Sequence, residues 1–423
     1  MALLLCNLPD EVIADSIFSL LDYKSLARIS QTCTKLRDCA YTEGNWKVLC
    51  RRYWLDTERE RSQSSWRVNF MEWFRDMGQY IHVYVPIRRL WNRILPCIQE
   101  KSPVIYRTLQ VPPTTEEMLN EIERRLTEPL PLEFRCSYRI CNGQQLEGLS
   151  ERDTQFGLLG TLSVYHYTVC EVLLSAESIL AKLNETENET NVVDFTDRFV
   201  YVAGRTVNNF HRGFSKRICL KQCGDVMPGS VCLQIDEMAR VAPTFLYAEN
   251  FIKWLESLAN WLEDRELMVD EGRISQFVHE PDCWEETEKV RVSVATALVP
   301  EFSSLIISDV KLMHAYQITM SMDDCTLPKY NCTLQKRHWE ITEYNEESNQ
   351  PIQEVDGPGV IGKHPTMQPA EKFTYASWTP LSTKNGYMTG WFTFRNNQDS
   401  RIFDVQCPRF DFRCPEIKNF SFE

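Results

Sequence analysis

The sequence predicts a multidomain chain: an all-α start, an α+β middle and an all-β sandwich at the end. Three observations carry that reading. Apolar residues recur at helical spacing through the first hundred residues. Helix-like and strand-like runs then alternate to residue 266. From residue 290 onward the apolar pattern has period two, broken by turn residues at regular intervals. The 423 residues allow about three domains at roughly 150 residues each, and 43% hydrophobic content is enough for several cores.

Composition removes some function classes. With 46 basic against 59 acidic residues the net charge is −13. That sign argues against nucleic acid or anionic lipid held by bulk charge and would tolerate basic protein partners. "MALLLC" is short for a signal peptide and lacks a basic start. No stretch approaches the roughly 18 uncharged apolar residues of a membrane span. A soluble intracellular protein is expected, cytoplasmic and/or nuclear, with no membrane partner. The 16 cysteines show no even framework of short spacings, and read as small buried hydrophobes of a reducing compartment.

Residues 1–55 form the first domain. Pro9 suits a first helical turn, and Asp10 and Glu11 favour its positive end. Ile13, Ile17 and Leu21 repeat at four-residue spacing with Leu20 beside them; Leu26, Ile29, Cys33 and Leu36 make a second stripe; Trp46, Leu49 and Cys50 make a short third. Three short helices follow. So small a unit rarely stabilises itself without a staple or a partner. Val12 and Phe18 lie off the stripe. The spare apolar side chains either dock into another protein's groove or pack on the rest of the chain.

Residues 56–99 continue as a helical linker. Trp66, Phe70, Trp73 and Met77 form one stripe; Ile87, Leu90, Trp91, Ile94 and Ile98 form another. Residues 100–266 read as an α+β domain. Thr114 and Glu117 have capping-box spacing before Met118, Ile122 and Leu126. In "LPLEFRCSYRICNG" Pro131 can start a helix and Asn142-Gly143 can end it. "RFVYVAG" (198–204) and "SVCLQI" (230–235) look like strands, "NETENETN" (184–191) like a polar loop, and "FIKWLESLANWL" (251–262) like an amphipathic helix.

Residues 275–415 read as an antiparallel sandwich with about seven strands in roughly 140 residues: 290–298, 315–322, 332–342, 372–378, 386–394 and 401–410 carry the clearest runs. Within it, "EVDGPGVIGKHP" (354–365) holds Gly357, Gly359 and Gly362 at the dinucleotide-fingerprint spacing. That fingerprint needs a following helix. Pro365 and Pro369 forbid one, and Pro358 removes an amide. The glycines are expected in a loop, as turn positions with positive φ.

No nucleophile elbow, lysine phosphate loop or paired metal histidines occur. Cys219, Cys223 and Cys232, with His211 nearby, depart from the paired two-residue spacing of structural zinc sites. Neither catalysis, a cofactor nor a metal is expected.

Three resemblances add to this. "LPDEVIADSIFSLLDYKSLARISQTCTKLRDCA…NWKVLC" resembles an F-box, which implies binding to the Skp-type adaptor of a cullin–RING ubiquitin ligase. Leu8, Pro9, Ile13, Ile17, Phe18, Leu20 and Leu26 are carried over as adaptor-contacting; some of them must face the module's own core. The helix, "LPLEFRCSYRICNG" and "GLLGT" (157–161) resemble the SUKH superfamily of binding domains. "GPGVIG", "YAS" (375–377) and "GYMTG" (386–390) resemble the ApaG domain, a fibronectin-like sandwich. The three in this order resemble the F-box only protein 3 family. The resemblance implies a substrate receptor of an SCF-type ligase, acting by proximity with adaptor, cullin and RING subunits on an unnamed target. Target binding is expected near Gly357, Gly359, Gly362, Tyr375, Trp378, Tyr387 and Trp391, because sandwich loops and aromatics are the usual recognition elements. The alternatives are a non-degradative F-box scaffold and a small-ligand-sensing binding protein.

Overall fold

A computed structural model of the chain describes residues 5–110, 112–145, 155–188, 198–207, 210–234, 241–265, 267–305, 310–344 and 351–421. The chain divides into two compact units. One comprises residues 1–93 with 131–140, the other 94–130 with 141–423.

The first unit is helical. Tyr23–Ile29, Thr34–Ala40, Glu43–Trp54 and Trp66–Met77 are α-helices. Asp22 caps the first, accepting from the Ser25 amide at 2.6 Å, and Ser65 caps the last, accepting from the Val68 amide at 3.1 Å. The second expected stripe is split between two helices, because the chain leaves helical geometry at Cys33 (φ −156°). Trp46, Trp54, Phe70 and Trp73 make one aromatic core; Trp54 stacks on Trp73 with centroids 5.7 Å apart. Asp56, fully buried, ties that core to the connecting loop. It accepts from Asn69 Nδ2 (2.7 Å), Trp73 Nε1 (2.8 Å) and the amides of Glu58 and Glu60. Burial alone would raise its pKa, but these donors hold it below the usual carboxylate range. Leu132–Tyr138 belongs to this unit, with the Trp91 indole donating to Ser137 Oγ at 2.9 Å.

The second unit opens with the helix Glu116–Glu123. Its cap is Thr115, which accepts from the Met118 amide, rather than Thr114, and Leu119 and Ile122 face inward. The helix Ala176–Asn188 runs into residues expected as a loop at 184–188; the remainder of that stretch, 189–191, lies outside the described residues. Six strands follow in the middle: β1 (Thr161–Val164), β2 (Tyr167–Leu173), β3 (Phe199–Val207), β4 (Phe210–Cys219), β5 (Val231–Gln234) and β6 (Val241–Ala248). A short hairpin, β7 (Val269–Asp270) with β8 (Arg273–Ile274), precedes β9 (Val278–Thr287), β10 (Val290–Leu298), β11 (Leu312–Ser321), β12 (Cys332–Glu343), β13 (Pro351–Pro358), β14 (Thr366–Met367), β15 (Lys372–Leu381), β16 (Asn385–Asn396), β17 (Ile402–Arg413) and β18 (Glu416–Ser421).

Two antiparallel sheets make the sandwich, β15-β11-β10-β9 and β13-β12-β16-β17, with β14 on β12. Ile318, Met320, Leu334, Trp339, Phe392 and Phe394 are among the side chains that fill it. The period-two runs give these strands their inward faces. The strands β9, β13 and β14 were not legible: β9 is largely exposed and polar on both sides, which erases the alternation. The middle sheet has the order β1-β2-β3-β4-β5-β6-β18, so a strand after the sandwich returns to close it. The helix Phe251–Glu263 covers part of it, burying Trp254, Leu255, Leu258 and Leu262; Asn250 caps it through the Lys253 amide.

Under this sheet lies a charged cluster. Glu171 (β2) pairs with Lys216 (β4) at 2.7 Å and lies 3.4 Å from Arg205 Nε (β3). Arg205 also pairs with Glu301 and donates to Gln276 at 2.9 Å. Burial works against every charge here. It lowers the Lys216 pKa despite Glu171, whereas Lys216 and Arg205 outweigh burial at Glu171 and hold its carboxylate low.

His314 (β11) is buried against Phe412, ring centroids 5.1 Å apart, and its Nε2 has no partner. Burial lowers its pKa from 6.5 to about 4. A neutral folded imidazole that must charge on unfolding leaves stability intact above pH 6.5 and removes it progressively down to pH 4. The shift corresponds to about 3 kcal/mol at 1.36 kcal/mol per unit. Urea midpoints of the full chain between pH 4 and 7 should fall more steeply on the acid side than those of His314→Phe; parallel curves would contradict this.

Candidate functional site

Residues 8–20 carry the first candidate surface. Pro9 opens the turn, and Val12–Ile17 then winds as a π-helix, with the Phe18 amide donating back to the Ile13 carbonyl. In an α-helix a residue five places on would point away from Ile13; the widened i→i+5 turn brings it round. Phe18 therefore enters the core (1% exposed) beside Ile13 (0%), and Ile17 is left half-buried. Leu26 is also fully buried. These findings sort the expected adaptor contacts. Ile13, Phe18 and Leu26 belong to the module's own core and would reach a partner only by opening it. Leu8, Pro9 and Leu20 are exposed, Leu20 at 75%, and Val12, which the motif did not single out as a contact, joins them at 40%.

The second candidate surface is the outer face of the sheet β13-β12-β16-β17. Alternation along β16 sends Met388, Gly390 and Phe392 inward and Tyr387, Thr389 and Trp391 outward. Cross-strand register places Trp391 beside His338, Thr389 beside Glu340 and Tyr387 beside Asp411. The Trp391 and His338 rings stack at 3.9 Å with a 22° interplanar angle. His338 Nδ1 lies 3.0 Å from Asp356. The Arg409 guanidinium stands 3.7 Å over the Tyr387 ring, and Tyr344 is 5.7 Å from Tyr387. Glu340 and Glu354 sit directly opposite each other across β12 and β13, a like-charge pairing that costs stability.

The glycine loop borders this face. Gly357 is not a positive-φ position: it lies within β13 opposite Arg337, and a Cβ there would lie 2.8 Å from the guanidinium. Gly359 (φ +53°) and Gly362 (φ +74°) do need the left-handed region. At Gly359 a Cβ would also lie 2.2 Å from the Lys363 carbonyl. Val360 and Lys363 exchange amide–carbonyl bonds at 2.9 and 2.8 Å around Ile361 (φ +43°) and Gly362. Positive φ at both central residues is the type I′ hairpin turn. The amides of Gly359, Val360 and Lys363 are thus spent on carbonyls, and no helix follows, so the loop is not a phosphate cradle. Ile361, a strained β-branched residue 40% exposed at its tip, was missed by the sequence reading.

Two expected target residues are displaced. Tyr375 is 5% exposed within the sandwich core. Trp378 is half-buried and packs against Tyr165, Tyr167 and Phe302 at 5.2–6.2 Å, where the β1–β2 hairpin meets the sandwich. Its large ring fills a junction instead of waiting for a partner. Trp378→Ala should lower thermal stability by about 3 kcal/mol; an unchanged melting curve would return Trp378 to the list of free surface aromatics. His338, Arg409 and Tyr344 were missed because only the strand register brings them to Trp391 and Tyr387.

Cys219, Cys223 and Cys232 pack with Phe199 and Val226. The thiols of Cys219 and Cys223 both donate to the Lys221 carbonyl, at 2.8 and 3.2 Å, as protonated core cysteines do. The His211 side chain lies outside the described residues. Among the described residues, Asp323, Asp324 and Cys325 alone bring three potential metal ligands together. All three are exposed, with the Cys325 thiol donating to Asp323. No helix among them is long and apolar enough to cross a membrane.

Family comparison agrees with this three-part reading. An F-box-like model matches residues 5–52, the SMI1/KNR4 family (SUKH-1) residues 113–257, and the ApaG domain residues 307–396. F-box only protein 3 of Bos taurus is 29% identical over 95% of this chain and 82% of its own length. F-box protein SKIP16 of Arabidopsis thaliana is 25% identical over 96% of this chain and 98% of its own. Protein ApaG of Bradyrhizobium diazoefficiens is 35% identical over 31% of this chain and 93% of its own. The three modules occur in this order, and the chain is similar to F-box only protein 3 along nearly its whole length.

Proposed function

We propose that the chain is the substrate receptor of an SCF-type cullin–RING ubiquitin ligase. The observation that carries this is the set of exposed apolar side chains Leu8, Pro9, Val12 and Leu20 on a small helical module matched as F-box-like. Free in water they are a cost; in a groove of a Skp-type adaptor they become anchors. The chain then acts without a catalytic group. Holding a target beside a loaded conjugating enzyme raises its effective concentration and orients its lysine.

The target surface is the outer face around Trp391, Tyr387, His338 and Ile361. Glu340, Glu354 and Asp356 beside the Trp391–His338 stack favour a basic target segment: a cation there would relieve the opposed Glu340 and Glu354 and could sit on the indole. The full chain mixed with adaptor, cullin and RING subunits should co-elute as one complex, and failure to assemble would remove the ligase reading. Proteins captured from cells by the full chain and lost with Trp391→Ala should accumulate when the proteasome is inhibited. Levels that do not change would favour a non-degradative scaffold.

A further inference from the structure

The first unit holds a cysteine pair that the adaptor surface does not use. Cys6 Sγ and Cys33 Sγ are 3.7 Å apart although 27 positions separate them in sequence, and both are half-buried, open to small reagents. Lys35 already ties the same two segments. Its Nζ donates to the carbonyls of Cys6 and Leu8, both at 2.9 Å, and pairs with Asp10 at 3.0 Å. The thiols therefore meet across a contact held by other bonds and need to close by less than 2 Å to reach bonding distance, about 2.0 Å. Cys219, Cys223 and Cys232, by contrast, are packed in an apolar cluster.

We propose that Cys6 and Cys33 form a reversible disulfide, a modification site in the N-terminal helical module. The two thiols are not equivalent. The Leu36 amide is the main influence lowering the Cys33 pKa, and the hydrogen bond between the two sulfurs raises that of Cys6. Cys33 is therefore the attacking thiolate and Cys6 the resolving thiol. With a low-molecular-weight disulfide such as oxidised glutathione, Cys33 attacks one sulfur. The S–S bond of the reagent breaks, one glutathione leaves as thiolate, and a mixed disulfide forms on Cys33. Cys6 loses its proton and attacks the Cys33 sulfur, releasing the second glutathione as thiolate. Two protein thiols are oxidised by two electrons, one reagent disulfide is reduced to two thiols, and the two protons pass to the departing thiolates. The crosslink would lock the segment carrying Leu8 and Pro9 onto the helix Thr34–Ala40.

Trypsin isolates each cysteine, since Cys6 lies in residues 1–24 and Cys33 in residues 29–35. The full chain is equilibrated in glutathione buffers from reducing to oxidising, quenched in acid, alkylated, digested and weighed. The expected product in oxidising buffer is peptide 1–24 joined to 29–35 with loss of two hydrogens, reversed by reductant and absent from Cys6→Ser and Cys33→Ser. Cys6→Ser should carry several-fold more glutathione on Cys33 than Cys33→Ser carries on Cys6. The proposal is overturned if both cysteines remain fully alkylated in oxidising buffer or pair with other cysteines. Equal glutathione loading of the two variants would overturn the assignment of Cys33 as nucleophile.

Discussion

Replacing Leu20 by aspartate is expected to abolish adaptor binding while leaving the chain folded. Leu20 is 75% exposed, so the folded state loses little, within about 0.5 kcal/mol for a surface change. The complex loses much more. Fully burying a leucine contributes about 1.5–3 kcal/mol, and a carboxylate forced into the same groove adds a desolvation penalty of several kcal/mol. A weakening of at least about 100-fold follows. Biolayer interferometry of the full chain against the purified adaptor reads it directly. Ile13→Asp separates surface from core: Ile13 is fully buried, and this variant should lose the melting transition of the first unit outright. If Leu20→Asp binds normally, the exposed apolar set is not the contact. If Ile13→Asp remains folded, the assignment of Ile13 to the core is at fault.

The second large effect is expected at Arg205. This guanidinium serves Glu301 and Gln276 and lies beside Glu171, with about 5% of its side chain exposed. Arg205→Met keeps the volume and removes the charge. Breaking a buried pair by removing one partner costs about 3–5 kcal/mol, because the abandoned carboxylate remains out of water. Thermal unfolding of the full chain should show the loss. The companion change Glu301→Gln in the Arg205→Met background should recover part of it, since the orphaned charge is then gone. A double variant as unstable as the single one would mean that the arginine acts through packing alone. Glu171, Arg205 and Lys216 belong to the middle sheet and Glu301 to the turn Pro300–Phe302 that follows β10. The sheet and the sandwich should therefore weaken together in this variant.

Much of this architecture was legible in the sequence because burial writes itself as periodicity. The stripe Trp66, Phe70, Trp73 and Met77 is buried throughout, and each period-two run after residue 290 became a strand. The residues that define the surfaces were harder to read. Phe18 and Ile17 exchange roles because of one widened turn, and propensity carries no signal for a π-helix. Trp378 and Trp391 look alike as outward aromatics on successive strands of opposite sheets; only the fold shows that one meets Tyr165 and Phe302 and the other meets His338. The pairing of His338 with Trp391 also depends on the register shift between Leu334 and Lys336 in β12, which local composition does not encode. Likewise, "EIKNFS" shows no alternation that would have announced β18.

That last strand has a mechanical result. After β17 only Cys414 and Pro415 intervene before β18 pairs along β6 from Glu416–Leu246 to Ser421–Val241. The ApaG-type portion is thus spliced into the middle portion like a belt drawn back through its buckle. A single nick in the short span at 414–415 would unfasten the two portions on one side, beside the cluster of Leu233, Phe245, Leu305 and Leu312 against which Cys414 packs. A load pulling on the sandwich would be borne by the outermost rungs of the neighbouring sheet instead of by a slack tether.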